Sequence, residues 1–249
     1  MPTQVQSAAS AGPIKGNYSA TGASGLKEAI SYDAASGLYT FYSTDSSSTP
    51  LSLTSDAMVA GAVPGYSYFK VSDPRSPGAK DLIVVYNSAS NPLTLTYTSF
   101  AFAQMDPSLK TSVQQAYVFG VQTSNLPTTG SASYSGLVAG SAQDSAGQLY
   151  VLNGTSTLTA DFAKGAYSTT LSFTGVDANG RAGLGTQNYA GSAGSFTLNG
   201  SPLNGNLSGS GTGSWGGKFF GPNAEEFGYT FAVSGSNYNA VGVAAGKKN

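Results

Sequence analysis

The segment Trp215–Phe231, WGGKFFGPNAEEFGYTF, limits the possible folds most strongly, because it predicts two strands joined by a built-in corner. Proline cannot donate a ladder hydrogen bond and fixes its own φ, so Gly221-Pro222-Asn223 is expected to end the first strand. Beyond the corner, large apolar residues recur at every second position from Phe227 to Val233. This is the period of a half-buried strand, so this part of the chain is predicted to be antiparallel β-sheet.

Composition extends this prediction to the whole chain. Charged residues make up 9% of the 249 residues, against about 25% in ordinary globular proteins. Glycine is abundant (33 residues), and the 15 tyrosines and 12 phenylalanines supply ample periodic apolar content. A disordered chain lacks such content. The composition therefore predicts an all-β protein with many turns.

The C-terminal half predicts a single β domain, residues 126–249. Candidate strands lie at Ser133–Gly136, Leu149–Leu152, Ser156–Phe162, Ala166–Phe173, Tyr189–Leu198, Leu203–Gly211, Ser214–Phe220, Phe227–Val233 and Asn239–Ala245. Four Asn-Gly pairs, beginning at Asn153, Asn179, Asn199 and Asn204, have the chemistry of type I′ turns. Eight or nine strands in about 120 residues indicate an up-and-down barrel or a sandwich.

The N-terminal half predicts a flexible leader, residues 1–25, followed by a β-rich domain, residues 26–125. Its predicted strands are Ala29–Tyr32, Leu38–Tyr42, Leu51–Val59, Asp81–Tyr86, Leu93–Thr98 and Tyr117–Val121, with a long irregular connection at Gly61–Lys80. Asp106-Pro107 resembles a helix N-cap with proline in the first turn. Because Leu109, Val113 and Tyr117 follow at helical spacing, we expect one short helix here.

Several of these segments resemble a known family. GKFFGPNAEEFG, residues 217–228, together with the closing strand Asn239–Lys247, is similar to the last hairpin of the transferrin-binding-protein-B-like β-barrel. Leu126–Gly136 resembles the opening strand of that barrel, and Leu158–Phe162 resembles an internal strand. The family comprises surface lipoproteins and secreted binding proteins of Gram-negative bacteria. The resemblance implies an all-β fold, with an N-terminal β-rich handle domain followed by a C-terminal eight-stranded antiparallel β-barrel.

Composition also excludes several function classes. The chain has no cysteine and no histidine, which rules out disulfides, thiolate or histidine metal sites, and the Ser-His-Asp and Cys-His types of catalysis. The net charge of −1, with few Lys or Arg, argues against nucleic-acid binding. The sequence contains no run of about 18 apolar residues, so no transmembrane helix is predicted.

The start of the chain bears on localisation. Met1–Gln6 lacks the basic and apolar segments of an export signal, so we expect either a cytosolic protein or a mature chain whose signal has been removed. The Ser/Thr/Asn/Gly-rich composition favours the second. The resemblance implies a cell-surface, lipid-anchored protein of the outer membrane or a secreted protein.

The acidic residues predict neither a catalytic nor a metal site. Glu225 and Glu226 are neighbours, so their side chains should leave a strand on opposite sides, which is poor geometry for a catalytic pair. We expect one of them to cap the corner and the other to face solvent. Asp161 is expected to be a solvated residue at a strand end, because no Asp-x-Asp-x-Asp-Gly calcium loop is present.

Ligand binding is predicted for Tyr66, Tyr68 and Phe69, beside a Pro/Gly-rich connection, with Arg75 as a rim contact. Exposed tyrosines are favoured anchors in protein recognition. The alternative is that these aromatic residues form a strand packed on the small sheet and that Arg75 is an ordinary loop charge. No cofactor is expected. Haem would need a tyrosine or methionine ligand, such as Tyr66, Tyr68, Met58 or Met105, because histidine is absent.

Three functions remain open. The first is a non-enzymatic surface-exposed or secreted binding protein that captures a nutrient (haem, a metal carrier or another solute). The resemblance implies a host or environmental protein or a small solute as its ligand and an outer-membrane, TonB-dependent receptor as its partner. The second is a structural or adhesive β module of the bacterial surface. The third is an enzyme, for instance a carbohydrate-active one that uses Glu225 or Glu226.

Overall fold

The structure is a computed structural model that describes residues 5–7, 29–33, 38–42, 51–61, 65–72, 80–86, 93–105, 113–177, 179–195 and 203–249. Within these residues the chain forms seventeen strands and a single turn of 3-10 helix at Ser55–Ala57. The chain divides into two compact units, Met1–Gln122 and Thr123–Asn249.

The described residues of the N-terminal unit form two sheets. Its strands are β1 (Val5–Ser7), β2 (Ala29–Asp33), β3 (Leu38–Tyr42), β4 (Leu51–Leu53), β5 (Met58–Val59), β6 (Tyr66–Ser72), β7 (Lys80–Tyr86), β8 (Thr98–Met105) and β9 (Val113–Gly120). A six-stranded sheet has the order β1-β9-β8-β7-β6-β5, and β2, β3 and β4 form a three-stranded sheet. The core packs on one face of the larger sheet, where every second residue is apolar; it includes Phe69, Val71, Ile83, Val85, Tyr117 and Phe119.

The C-terminal unit is a closed antiparallel barrel. Its eight strands are β10 (Ser131–Asp144), β11 (Leu149–Asp161), β12 (Ala166–Val176), β13 (Ala182–Ser195), β14 (Leu203–Gly209), β15 (Gly211–Phe220), β16 (Glu226–Gly235) and β17 (Tyr238–Lys248). Each strand pairs with the next, and β17 pairs with β10. The fold is therefore all-β with an eight-stranded barrel after a β-rich N-terminal unit, as the sequence and the resemblance predicted.

The predicted alternation of β16 is confirmed. Phe227, Tyr229, Phe231 and Val233 point into the barrel core. The barrel interior is filled by aromatic and aliphatic side chains from all eight strands. Across this core Phe173 stacks between Tyr189 and Phe231, at ring centroid distances of 5.9 Å to each.

The predicted helix is wrong for the part that the structure describes. Val113–Gly120 is strand β9, and residues 106–112 lie outside the described residues. Tyr117 and Phe119 enter the core of the larger sheet with Val118 between them on the opposite face, which is a period of two. In so short a segment, apolar residues at helical and at strand spacing overlap, and pairing with β8 decides for the strand.

Other local predictions also change. Leu93–Tyr97 is irregular, and β8 begins only at Thr98. The predicted irregular connection at 61–80 contains strand β6. Inside the predicted leader, Val5–Ser7 forms β1, while the rest of the leader lies outside the described residues.

Of the four Asn-Gly pairs, one forms a turn where the structure describes it. Gly180 has φ +75°, and its N–H donates to the Asp177 carbonyl. Asn153-Gly154 and Asn204-Gly205 lie inside strands β11 and β14, and Asn199-Gly200 is outside the described residues. Both interior pairs continue a ladder with a neighbouring strand, which overrides the local turn preference.

Candidate functional site

Strand β6 places the predicted ligand-binding aromatic residues on two different faces of the sheet. Tyr66 and Tyr68 share one face and are partly exposed, whereas Phe69 points to the other face and is 5% exposed. Phe69 is part of the core of the sheet. Arg75 lies outside the described residues. The structure thus brings Tyr66 and Tyr68 together and separates Phe69 from them.

Tyr66 is held by an aromatic row that crosses three strands. Its ring lies edge-on to Tyr86 at 5.7 Å and to Phe100 at 6.2 Å, and these two stack on each other at 4.4 Å. The Tyr86 hydroxyl donates a hydrogen bond to the Leu93 carbonyl at 2.7 Å. Burial raises the pKa of Tyr66, with further contributions from Tyr86 and Tyr68. A tyrosine that binds haem iron does so as its phenolate, so this pKa shift disfavours Tyr66 as an axial ligand.

The edge strand β5 has two exposed apolar side chains, Met58 and Val59. Of these, only Met58 was considered from the sequence, as a possible haem ligand, and Val59 was not selected. Val59 lies opposite Tyr68, and Met58 lies opposite Phe69. Val59 is 40% exposed and Met58 is 54% exposed. Directly opposed residues have their side chains on the same face of a sheet, so Val59 belongs to the face of Tyr66 and Tyr68. In the sequence these residues are a Met-Val pair in the segment Met58-Val59-Ala60-Gly61, and the exposure of the two side chains cannot be read from that segment.

Gly61 completes this surface. A Cβ atom at Gly61 would lie 1.9 Å from the Tyr68 ring, so only glycine allows the ring to lie against the backbone there. We call Val59, Gly61, Tyr66 and Tyr68 the edge patch. It lies at the edge of the six-stranded sheet, and an apolar sheet edge is a surface at which other chains readily bind.

The corner acids have structural partners. The Glu225 carboxylate accepts hydrogen bonds from the backbone N–H of Asn223 at 2.8 Å and from its side-chain amide at 2.9 Å, as expected for a corner cap. The expectation that the other acid faces solvent is wrong, because Glu226 is 3% exposed. Its strand is paired on both sides, with Phe220 and Lys247 opposite Glu226. Neighbouring strands thus cover the position that the sequence left open.

The remaining acids of the barrel stabilise turns. The Asp161 carboxylate accepts from the Lys164 backbone N–H and lies 3.1 Å from the Lys164 ammonium, which holds the pKa of Asp161 below its usual value. Among the described residues, no three acidic side chains are grouped so as to hold a metal ion.

The described residues also include no helix long and apolar enough to cross a membrane.

Comparison with solved structures identifies the fold. Transferrin Binding Protein B from Haemophilus parasuis matches 89% of this chain with a TM-score of 0.50 and 16% identity, and 53% of its own chain is covered. Transferrin binding protein B from Neisseria meningitidis matches 84% of this chain and 39% of its own, with a TM-score of 0.49 and 18% identity. The N-lobe domain of Lactoferrin Binding Protein B of Moraxella bovis matches 70% and 81%, with a TM-score of 0.41 and 16% identity.

No protein-family model and no curated protein matches the chain. This chain spans about half the length of the Haemophilus parasuis protein, 53%. The expected transferrin-binding-protein-B-like fold is confirmed, and at these identities the likeness concerns the fold.

Proposed function

We propose that this protein is a non-enzymatic binding protein, exposed on the surface of a Gram-negative bacterium or secreted by it. It captures a nutrient ligand, either haem, a metal-carrier protein or another solute, and hands it to an outer-membrane transporter of the TonB-dependent class. The shared fold supports this proposal, because the solved proteins with that fold are named for binding transferrin and lactoferrin. In this reading the barrel is the scaffold and the N-terminal unit carries the ligand contacts.

The observation that carries the proposal is the edge patch. Tyrosines on a rigid sheet offer large contact area with few rotatable bonds, and such residues are frequent anchors of protein interfaces. Val59 extends their apolar surface, and no residue of the patch carries a charge. Recognition through this surface would therefore depend on apolar contact and change little with salt. Arg75 remains a predicted rim contact.

The edge patch can be tested by measuring binding directly. Biolayer interferometry on the whole chain would use iron-loaded transferrin, iron-loaded lactoferrin and free haemin as separate probes. We expect saturable binding of one of them, and we expect Val59→Asp to weaken it by at least about tenfold, because a charge would be buried at the interface without a partner.

Val151→Asp is the matched control for this experiment. Val151 is also an exposed strand valine, 46% accessible, but it belongs to barrel strand β11. We expect its substitution to leave the affinity unchanged. Equal losses in both variants would contradict the edge patch as the site, and the absence of saturable binding to all three probes would contradict nutrient capture from these sources.

A further inference from the structure

Neighbouring strands of the barrel are joined by ladders of very different length. Among the described residues, β13 and β14 share a ladder of three residue pairs, from Tyr189–Gly209 to Gly191–Leu207. The other neighbouring pairs of barrel strands share between six and thirteen residue pairs. The ladder ends at Leu207, although β14 extends to Leu203 and β13 to Ser195. We call the boundary between β13 and β14 the seam.

Beyond the end of this ladder, a tyrosine from a third strand forms hydrogen bonds with the β14 backbone. The hydroxyl of Tyr167, on β12, donates to the Asn204 carbonyl at 2.6 Å and accepts from the Asn204 N–H at 3.0 Å. A residue in an antiparallel ladder exchanges both of these backbone bonds with its partner strand. At Asn204 the tyrosine hydroxyl therefore does what a ladder partner would do.

The residues around Tyr167 leave space for its side chain to cross β13 and bond to Asn204. Tyr167 lies opposite Gly194 of β13, and a Cβ atom at Gly194 would lie 2.4 Å from the Tyr167 hydroxyl oxygen. The ring can pass across β13 only because residue 194 has no side chain. On its other side the ring meets Trp215 edge-on at 5.5 Å. Tyr167 is buried, whereas its hydrogen-bond partner Asn204 is exposed at the outer surface.

The opposite end of the seam has a side-chain fastening of its own. The Ser210 N–H donates to the Asn188 carbonyl at 2.9 Å, and the Ser210 hydroxyl accepts from the Asn188 N–H at 2.9 Å. Beyond each end of the short ladder a side-chain hydroxyl thus accepts a backbone N–H, that of Asn204 at one end and that of Asn188 at the other.

We propose that the barrel opens at the seam under native conditions, and that the two hydrogen bonds between the Tyr167 hydroxyl and Asn204 hold the seam closed. Local opening breaks the smallest set of hydrogen bonds that frees a segment, and the seam has the fewest ladder bonds of any barrel boundary described. Opening separates β14 from β13 while the β12–β13 and β14–β15 ladders stay intact.

Hydrogen–deuterium exchange on the whole chain tests this proposal. In the wild-type protein we expect β14 amides to exchange faster than those of β16, which is paired on both sides from Glu226 to Ser234. Tyr167→Phe removes the hydroxyl and keeps the ring. We expect it to raise exchange at Asn204 and its β14 neighbours by about tenfold or more while β16 is unaffected.

Tyr134→Phe is the matched control. The buried Tyr134 hydroxyl also donates to a backbone carbonyl, that of Ala224, at 2.7 Å, but its strand β10 is fully paired. This variant is expected to leave β14 exchange unchanged. Gly194→Ala is a second route, since it should displace the Tyr167 ring and reproduce the Tyr167→Phe pattern. Equal exchange of β14 and β16 in the wild type, or a uniform rise across all strands in Tyr167→Phe, would overturn the proposal.

Discussion

The Tyr229 hydroxyl shows how a polar group is accommodated in the aromatic core of the barrel. Tyr229 is completely buried, and its hydroxyl shares hydrogen bonds with the Ser156 hydroxyl at 2.6 Å and the Thr169 hydroxyl at 3.1 Å. Both partners also bond to backbone carbonyls, so the group is satisfied within the core. Burial raises the pKa of Tyr229 to about 12, because the phenolate would have to be desolvated.

This burial predicts a loss of stability at high pH. The folded pKa lies above the unfolded value of 10.0, so the unfolded chain loses the Tyr229 proton first. The free energy of unfolding should therefore be unaffected by this group below pH 10 and fall between about pH 10 and 12, by about 2–3 kcal/mol in total. Denaturant titrations at several pH values, followed by Trp215 fluorescence, would measure this loss.

Tyr229→Phe is the control for that loss. We expect the variant to be less stable by about 1 kcal/mol near neutral pH, because Ser156 and Thr169 lose one partner each but keep others. Its stability should then decline less steeply above pH 10. Identical pH dependence in the two proteins would contradict the role of Tyr229. Tyr134 and Tyr238, whose pKa values burial also raises, should retain part of the slope.

At the level of the strand, β15 contains an inward-facing and an outward-facing glycine that differ in the space around them. A Cβ at Gly217, which points inward, would lie 2.1 Å from the Gly228 carbonyl and 2.4 Å from the Tyr229 Cβ. At Gly216, its outward neighbour, the nearest atom is 3.7 Å away. Gly217 therefore allows the β16 backbone at Gly228 and Tyr229 to approach closely, whereas no such close approach occurs at Gly216.

The same substitution is expected to destabilise the protein at one of these glycines and to have little effect at the other. Gly217→Ala should lower the free energy of unfolding by about 1–3 kcal/mol, because the added methyl overpacks the wall. Gly216→Ala should change it by less than about 0.5 kcal/mol in either direction. Urea unfolding of both variants is the measurement. A Gly216→Ala variant that is the less stable of the two would show that the inward and outward assignments of β15 are wrong.

At the level of the molecule, each unit has its own hydrophobic core. The chain has one tryptophan, Trp215, and it is buried in the barrel core. Fluorescence therefore reports on the barrel, whereas far-UV circular dichroism reports on both units.

Two core truncations use this difference. Leu158→Ala, in the barrel core, should cost about 2–5 kcal/mol and lower the midpoint of the Trp215 transition. Ile83→Ala, an equally buried site in the other core, should affect the circular dichroism transition more than the Trp215 transition. If Ile83→Ala shifted the fluorescence midpoint as much as Leu158→Ala does, the two cores would have to unfold as one.

Much of the fold could be predicted because its signals are local. Alternation of apolar residues predicted which face of β16 is buried, and most of the barrel strands were located from the same pattern. The likeness of residues 217–228 to a family hairpin predicted closure into eight strands. The predicted helix failed at β9, where the apolar spacing suits both structures and pairing with β8 decides.

The candidate site was predictable only in part. Tyr66 and Tyr68 were selected from residue type, but their separation from Phe69 and their meeting with Val59 depend on strand register. The sequence by itself determined the class of fold and the buried faces, because alternation is a property of consecutive residues. Tertiary structure alone decided the exposure of Val59, the burial of Glu226 and the reach of Tyr167 to Asn204, because each depends on strands distant in the chain.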